Sequence, residues 1–207
     1  TNRLYGEGGN DVLIGEMGSD LLDGGEGDDT LSGGSDEGAA HAGDTLLGGA
    51  GNDTISVNGD IADGGEGDDR LLMLHPSTGG ASDLTGGAGA DQFEVMLGGN
   101  FGRRAPDMIR DFDVLEGDRI DLGLAPSTPP RVFRGAVTTA GFTMTQGAVF
   151  SDDNFGAEFQ QVWTWFGDGK TYMIVDIDRN GLLGQAEYVL TFHDNLTLTR
   201  AAFTSRS

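Results

Sequence analysis

The segment GEGGNDVLIGEMGSDLLDGGEGDDTLS (6–32) consists of three nonapeptides joined head to tail without a gap. Each follows the pattern G-G-x-G-x-D-x-U-x, in which U is a large apolar residue. Further clean copies are GGAGNDTIS (48–56), GGEGDDRLL (64–72) and GGAGADQFE (86–94). Self-similarity at a fixed short period indicates a solenoid whose successive turns stack on one another. The repeat therefore decides the fold of the first half of the chain.

The two parts of the nonapeptide have different structural requirements. Its first six residues form a turn, in which glycine permits positive φ and a close approach of neighbouring backbones. Its last three residues form a minimal strand whose apolar side chain points inward. We expect these inward side chains to stack into a thin core made of Leu13, Leu22, Leu31, Leu46, Ile55, Leu71 and Phe93.

Position six of the repeat is aspartate in seven loops: Asp11, Asp20, Asp29, Asp44, Asp53, Asp69 and Asp91. If one nonapeptide forms half a coil, loops eighteen residues apart stack on the same rim. Asp11, Asp29 and Asp53 are then expected to face one another on one rim, with Asp20 and Asp44 on the other.

Charge favours a metal-binding roll over ordinary tight turns of a metal-free solenoid. Residues 1–94 contain 20 Asp or Glu against two Arg, so they hold −18 of the chain's net charge of −22. Carboxylates stacked a few ångströms apart repel by about 1 kcal/mol per pair even in bulk water. Carboxylate and carbonyl oxygens are the ligands that Ca²⁺ prefers, and we predict about five to eight bound ions.

Composition excludes several other classes of protein. A pI near 4.1 makes nucleic acid an unsuitable partner, because its phosphates would be repelled. The absence of cysteine excludes a disulfide framework and thiolate metal sites. No stretch approaches eighteen uninterrupted apolar residues, so the sequence predicts no transmembrane segment.

The period slips in three places, where we expect loops that bulge from one face. Residues 33–47 hold a repeat with extra residues before Asp44, 57–63 form a shortened copy with Asp60 in the aspartate position, and 73–85 form a degenerate copy. His41 and His75 lie in these stretches and are interpreted as exposed loop residues, with a catalytic or metal role as the alternative.

A second pattern follows the repeats. The segment DMIRDFDVLEGDRIDL (107–122) alternates polar and apolar residues as a half-buried strand does, or forms a strand–turn–strand with solvated acids. Short alternating segments continue to residue 192, with a hairpin turn at Gly167–Gly169. We predict a repeat domain at 1–97 and an antiparallel β cap at 98–207. Trp163 and Trp165 either pack in that sheet or form a sugar-stacking platform.

The segment DIDRNGLLGQAE (176–187) has the spacing of an EF-hand loop, although its flanks are strand-like. An additional calcium site there would use Asp176, Asp178, Asn180 and Glu187; the alternative is an acidic hairpin turn.

No catalytic motif is present. The chain lacks H-E-x-x-H, G-x-S-x-G, a P-loop and a cysteine nucleophile. A glycosidase-like pair of carboxylates stays open as an alternative, but the repeats already account for the acids. We predict a non-catalytic chain.

Residues 6–94 resemble the RTX nonapeptide array, and 107–122 is similar to the strand that follows this array in serralysin-type metalloproteases and related secreted enzymes. LTFHDNLTLTRAAF (190–203) is similar to their closing strand, although the tail TSRS lacks the usual terminal apolar residues. The resemblance implies an all-β fold, namely a right-handed parallel β-roll capped by a C-terminal antiparallel sheet. It also implies export through a type I secretion apparatus by an uncleaved C-terminal signal, and folding on extracellular calcium.

The resemblance further implies that the loop carbonyls at positions two and four join the aspartate as calcium ligands. The two first loops match less completely, because Glu7 and Glu16 replace glycine at position two, which a carbonyl ligand tolerates if φ allows it. We add Asp107 and Asp111, from the segment after the array, to the predicted ligands. The carbonyl ligands are Gly9, Gly18, Gly25, Gly27, Gly49, Gly51, Gly65, Gly67, Gly87 and Gly89.

Two functions follow from this sequence. The preferred one is a secreted, calcium-triggered folding and secretion module that supports an upstream effector domain. We also expect a further repeat loop before Thr1, since Asn2–Tyr5 reads as the end of a repeat. The alternative is a carbohydrate- or surface-binding module of a secreted polysaccharide-modifying enzyme or adhesin, with polysaccharide as the partner.

Overall fold

The computed structural model describes residues 1–34, 43–74, 80–96, 107–121, 132–133, 138–139, 142–143, 161–167, 169–175 and 188–193. Beyond residue 121, side chains are described for 169–173 and 190–193. The regular structure of these residues is β-strand, and none of it is a helix long and apolar enough to cross a membrane.

Successive strands over residues 3–121 alternate between two parallel sheets. The first sheet takes β1 (Arg3–Tyr5), β3 (Leu21–Glu26), β5 (Thr45–Ala50), β7 (Ile61–Glu66), β9 (Asp83–Ala88) and β11 (Asp107–Ile109). The second sheet takes β2 (Val12–Ile14), β4 (Thr30–Ser32), β6 (Thr54–Val57), β8 (Arg70–Met73), β10 (Gln92–Val95) and β12 (Arg119–Asp121). Neighbours within each of these sets pair in parallel. This arrangement is the predicted parallel β-roll.

The register places the apolar residue of each repeat directly against that of the next coil. Leu22 pairs with Leu46 in the first sheet, and Leu31 pairs with Ile55 in the second. A shift of one residue would turn this side chain to solvent, so the burial of one face fixes the pairing. The predicted core is confirmed, since each member is at most 5% exposed: Leu13, Leu22, Leu31, Leu46, Ile55, Leu71 and Phe93.

The turns that join the sheets lie on two rims with different regularity. The first rim carries the turns from the first sheet to the second, which are the loops ending at Asp11, Asp29, Asp53, Asp69 and Asp91 and a final turn over 110–118. The second rim carries the return turns, and all three slips of the period fall there, between β4 and β5, β6 and β7, and β8 and β9. Because these irregular stretches lie between strands, they leave the pairing register of the sheets intact. The middles of two of them, 35–42 and 75–79, lie outside the described residues.

The strands described after residue 121 are β13 (Val132–Phe133), β14 (Thr138–Thr139), β15 (Phe142–Thr143), β16 (Gln161–Gly167), β17 (Lys170–Val175) and β18 (Tyr188–Phe192). Strands β18, β17, β16 and β13 continue the first sheet, whereas β14 and β15 form a separate antiparallel pair. Strand β18 pairs in parallel with β11, and β17 and β16 then follow in antiparallel order. The predicted hairpin is confirmed by the pairing of Gly167 with Lys170. The antiparallel strands therefore cover the edge of the first sheet by continuing it, and the domain division at residue 97 stays a prediction.

The segment 107–121 closes the core at this end of the roll. Its two strands lie in different sheets, and Phe112 between them is buried, with its ring 5.9 Å from Phe93 and 5.3 Å from Phe192. The segment is therefore strand–turn–strand, as the alternative had it, and not one half-buried strand. The solvated acids of that alternative are wrong for Asp107, Asp118 and Asp121, which are each at most 4% exposed.

Adjacent leucines in β5 test whether the thin core carries the stability. Leu46 is fully buried, whereas Leu47 lies on the outer face of the sheet. We expect Leu46→Ala to lower the free energy of unfolding by about 2–5 kcal/mol, because it leaves a cavity that the stacked sheets cannot close. Leu47→Ala is the matched control and should cost less than about 1 kcal/mol. Urea unfolding in saturating calcium measures both, and equal losses would contradict this account of the core.

Candidate metal sites

The aspartates at position six form a ladder along the first rim. In each step, Oδ1 of one aspartate accepts the backbone N–H of the position-six aspartate in the preceding coil. The steps run from Asp11 to Asp29 (2.7 Å), Asp53 (2.7 Å), Asp69 (2.8 Å), Asp91 (2.9 Å) and Asp118 (3.0 Å). The predicted facing of Asp11, Asp29 and Asp53 is therefore confirmed.

The second rim carries a similar but less regular ladder. Asp20 N–H donates to Asp44 Oδ1 at 2.8 Å, and Asp44 N–H donates to Asp60 Oδ1 at 2.9 Å. Ser82 takes the aspartate position in the next coil, and its N–H donates to Asp107 Oδ1 at 2.6 Å. The serine interrupts the row of carboxylates, so this rim offers fewer equivalent sites than the first.

The second carboxylate oxygen of the ladder aspartates is buried and accepts no hydrogen bond from the described part of the chain. This holds for Oδ2 of Asp11, Asp20, Asp29, Asp53, Asp69 and Asp91. A buried carboxylate without a compensating partner is strongly unfavourable, because it has lost its hydration. On the first rim the amide ladder holds these side chains in place, and their second oxygens remain available to bind an ion. A row of such oxygens is what a series of cation sites requires.

For Asp11, Asp20, Asp29, Asp53 and Asp69, a backbone oxygen of the following coil lies near this carboxylate oxygen. A Cβ placed on Gly24 would lie 2.3 Å from Asp29 Oδ2 and 2.6 Å from the carbonyl oxygen of Gly48. The same pair of distances is 2.3 and 2.4 Å at Gly48, and 2.2 and 2.4 Å at Gly64. Glycine at position one thus leaves room in which a carboxylate and a carbonyl of adjacent coils converge. Ca²⁺ takes this mixture of oxygens, so the residues present fit the ion.

On the first rim each coil contributes one ladder aspartate, so the carboxylates lie one to a coil. Accordingly, the described residues contain no cluster of three or more His, Asp or Glu side chains suited to a metal. Glu7 and Glu16 adopt a positive φ, of 68° and 70°, which the sequence requires of them at this position. These values are smaller than the φ of the later position-two glycines, as at Gly25 with 101°.

Burial raises the pKa of Asp69 to about 7 and that of Asp91 to about 6, with repulsion from neighbouring carboxylates as a further cause. The pKa values of Asp53 and Asp118 are raised by burial too. Backbone N–H donors oppose the shift in each case but do not cancel it. The raised pKa values express how unfavourable the charged ladder is in the absence of a cation.

The structure assigns Asp111 and Asp118 contacts that the sequence did not predict. The two oxygens of Asp111 accept N–H groups of Gly86 and Gly87, each at 2.9 Å, beyond the point where β11 ends. Both oxygens of Asp118 are also used, by the N–H groups of Asp91 and Asp113. Asp118 therefore occupies the place of the next ladder aspartate, and Asp111 supplies side-chain acceptors for the N–H groups of Gly86 and Gly87. Calcium binding by Asp107 and Asp111 stays a prediction.

Sequence reasoning left two members of the ladders out of the predicted ligands. Asp60 had been placed in the aspartate position of a shortened copy, and Asp118 lies two residues before the buried Ile120. The D-x-U ending of the repeat, without its glycines, is the signal that finds both.

Other predicted residues lie outside the described part of the chain. These are the EF-like set Asp176, Asp178, Asn180 and Glu187, the histidines His41 and His75, and the C-terminal signal. Strand β16 contains Trp163 and Trp165, but their side chains are not among those described, so the sugar platform gains no support.

Substitution of two adjacent aspartates in one loop distinguishes the effect of losing an ion ligand from the effect of losing a negative charge. Asp69 is buried with an unpartnered Oδ2, whereas Asp68 is exposed and its Oδ1 accepts the N–H of Ala90 at 2.9 Å. The substitution Asp69→Asn would keep the amide contact but remove a charged oxygen, so the calcium midpoint for folding should rise about tenfold. Asp68→Asn removes the same charge and should shift the midpoint by less than about twofold. Similar shifts in a calcium titration would count against a binding role for Asp69.

The raised pKa values also predict an unusual pH dependence without calcium. The folded form binds protons on Asp69 and Asp91 up to pH values of about 7 and about 6, above the ordinary aspartate value of 3.8. It therefore holds more protons than the unfolded form, and stability falls as pH rises through this window. In calcium-free buffer the roll should be more structured at pH 5 than at pH 8, as measured by circular dichroism. Asp69→Asn should weaken this dependence, and a calcium-free roll that gains stability with rising pH would contradict it.

Comparison with known proteins agrees with the repeats. The family described as the RTX calcium-binding nonapeptide repeat matches in four copies over residues 1–37 and 42–71. No curated protein gives a significant match. A solved structure with similarity is the solution structure of the AlgE6R3 subunit from the Azotobacter vinelandii mannuronan C5-epimerase, at 23% identity and a TM-score of 0.32, covering 90% of this chain and 72% of that one. A TM-score of this size supports no functional argument. Residues 1–37 and 42–71 of this chain thus match the RTX calcium-binding nonapeptide repeat, and the parallel coils and the carboxylate ladders of the array agree with that match.

Proposed function

We propose that the chain is a calcium-triggered folding module of a longer exported protein. The observation that carries the proposal is the set of buried carboxylate oxygens without a hydrogen-bond donor, aligned on the rims. In Asp29, Asp53, Asp69 and Asp91 the other carboxylate oxygen accepts the N–H of the preceding coil, so these side chains are aligned only when the coils are stacked. The ions and the stacked coils therefore stabilise each other.

The energetic argument starts from the shortage of positive charge. The array holds two arginines against 20 acids, and Arg70 is already paired with Glu94. A buried charge that has no partner destabilises the folded state by about 3–5 kcal/mol. Without a cation the stacked state is therefore disfavoured. A ligand that binds only the folded state adds its binding free energy to stability, so calcium drives the coils together.

The proposed ligands are the position-six aspartates with carbonyls of the glycine loops, and about five to eight ions would bind. The carbonyl set remains that implied by the RTX family, at positions two and four. The position-one carbonyls, which lie beside Oδ2, are additional candidates. Asp29, Asp53 and Asp69 stand in the regular middle of the first rim, and we expect them to hold the best-defined sites.

Dependence on calcium suits a protein that crosses a membrane unfolded. Sites in extracellular modules typically bind calcium with dissociation constants of about 10⁻⁴–10⁻³ M, above cytosolic levels. The chain would stay open inside a Gram-negative bacterium, pass a type I secretion apparatus and fold outside the cell. In this proposal the module stabilises an upstream effector domain, and any catalytic activity belongs to that domain.

Calcium dependence of folding is the direct test. In chelator at pH 8 we expect a mostly disordered far-ultraviolet circular dichroism spectrum and a large hydrodynamic radius. Addition of calcium should produce β-structure and compaction in one cooperative step, because each ion joins two coils. Circular dichroism and size-exclusion chromatography on the same samples measure the two changes.

Magnesium is the matched control for ionic strength and charge. Mg²⁺ requires a near-octahedral site at short distances, so it should not restore the fold at equal concentration. A chain that is equally compact and equally resistant to heat in chelator and in calcium would overturn the proposal. Folding with calcium but without any effect on export of a fused upstream domain would overturn the secretion role alone.

A further inference from the structure

Position five of the repeat carries a second ladder on the first rim. In each step a side-chain oxygen accepts the backbone N–H of position five in the following coil. Asn10 Oδ1 accepts the N–H of Asp28 at 3.1 Å, and Asp28 Oδ1 accepts that of Asn52 at 2.8 Å. Asn52 Oδ1 accepts the N–H of Asp68 at 2.8 Å, and Asp68 Oδ1 accepts that of Ala90 at 2.9 Å. All four accepting side chains are exposed, so this row lies outside the position-six ladder.

The two ladders run in opposite directions. At position six, the N–H of Asp29 donates to Oδ1 of Asp53 in the following coil at 2.7 Å. At position five, the N–H of Asn52 donates back to Oδ1 of Asp28 at 2.8 Å. Two consecutive residues of one coil thus exchange an amide contact in each direction with the next coil. We call this arrangement the reciprocal pair, and it joins the successive first-rim loops from Asn10 to Asp91.

Position five supplies an acceptor oxygen rather than a charge. The residue alternates between asparagine and aspartate along the rim, and both accept the amide at similar distances. The acceptor is absent at Ala90. In the turn that follows, the position-five amide is that of Gly117, which donates to the carbonyl of Asp113 at 3.3 Å. In the described part of this rim, the acceptor therefore occurs where the following coil offers an amide and is missing where that amide is used elsewhere.

Three loops of the second rim lack this acceptor. Their position-five residues are Gly43, Gly59 and Ala81, which have no side-chain oxygen. The N–H of Gly59 donates instead to Oγ of Ser82 in the next coil, at 3.0 Å. In these loops the position-six residue has no neighbour that could complete a reciprocal pair. The pair is therefore a feature of the first rim, where the loops keep their full length.

We propose that the side chains of Asn10, Asp28, Asn52 and Asp68 position the calcium ligands of the first rim. This inference rests on the proposed function, because it concerns the same sites. Each ligand aspartate directly follows position five, at the end of a glycine-rich loop whose backbone has unusual freedom when unfolded. A contact on each side of the peptide between positions five and six restrains that carboxylate. Restraint before binding reduces the entropy lost when the ion binds and so increases affinity.

The restraint leaves the ion-binding oxygen untouched. Both contacts of a reciprocal pair use backbone N–H groups and Oδ1 atoms. Oδ2 of Asp29, Asp53 and Asp69 accepts no hydrogen bond in the part of the chain that the structure describes. Position five can therefore hold the loop without competing with the ion for its ligand.

Two substitutions of Asp28 in the full chain distinguish the oxygen from the charge. Asp28→Ala and Asp28→Asn remove the same negative charge, but only asparagine keeps an acceptor for the N–H of Asn52. The calcium midpoint for folding, followed by circular dichroism, should be about threefold higher for Asp28→Ala than for Asp28→Asn, because one exposed hydrogen bond is lost. Asp28→Asn should stay within about twofold of the unsubstituted chain. Equal midpoints for the two variants would overturn the inference.

Amide hydrogen exchange in saturating calcium locates the effect. In Asp28→Ala the N–H of Asn52 should exchange about tenfold faster than in Asp28→Asn, because its acceptor is gone. The N–H of Asp53 donates to Asp69 Oδ1 at 2.8 Å and serves as the internal control. Its exchange should differ by less than about twofold between the two variants. Equal acceleration of both amides would indicate general destabilisation and would contradict a positioning role.

A pair of substitutions at Asn52 reverses the sense of the charge. Asn52→Asp keeps an acceptor for the N–H of Asp68 but adds a carboxylate between Asp28 and Asp68, whereas Asn52→Ala is neutral and removes the oxygen. The Asp68 amide should exchange about tenfold faster in Asn52→Ala than in Asn52→Asp, at low and at high salt. Any rise in the calcium midpoint of Asn52→Asp should disappear at high salt, since screening removes the added repulsion. Faster exchange in Asn52→Asp would show that charge governs position five, and the inference would fail.

The outcomes also distinguish this inference from the proposed function. A chain that folds cooperatively on calcium, but in which Asp28→Ala and Asp28→Asn behave alike, keeps the folding role and loses the positioning role. A chain that shows no calcium transition before any substitution loses both.

Discussion

The carboxylate at position six of each repeat is the constraint on which the roll depends. One of its oxygens accepts an amide of the preceding coil, as from Asp29 to Asp53 at 2.7 Å, and this contact sets the spacing of the coils. The other oxygen is buried without a donor among the described residues. The same side chain therefore aligns the coils and makes their stacked state unfavourable in the absence of a cation, because a buried charge needs a partner.

Glycine serves three separate purposes in this repeat. At position one its missing Cβ leaves the space in which a carboxylate and a carbonyl converge, as at Gly24. At position two, as at Gly25, it avoids the carbonyl of the preceding coil. At position four, Gly27 would contact the carbonyl of Gly9 at 2.3 Å if it carried a Cβ. The glycine pattern thus records how closely the backbones of successive coils approach one another at these positions.

The other end of the array is closed by different means. Asp118 accepts the last amide of the first-rim ladder, Asp111 accepts the N–H groups of Gly86 and Gly87, and Phe112 covers the core. Strand β18 then continues the first sheet beside β11. Side-chain acceptors and an aromatic ring thereby replace a further coil at this end, and the amides of Gly86, Gly87 and Asp91 keep their partners.

The period of the sequence determined most of the roll. Leu22, Leu46 and Leu31 were assignable to the core, and Asp29 and Asp53 to one rim, because a strict nine-residue repeat allows one inward residue per strand and one carboxylate per loop. Tertiary structure alone decided the rest. That Asp118 accepts the N–H of Asp91 and that the position-one carbonyl lies beside Oδ2 both depend on distances between coils. Such distances arise from stacking, which a local pattern does not contain.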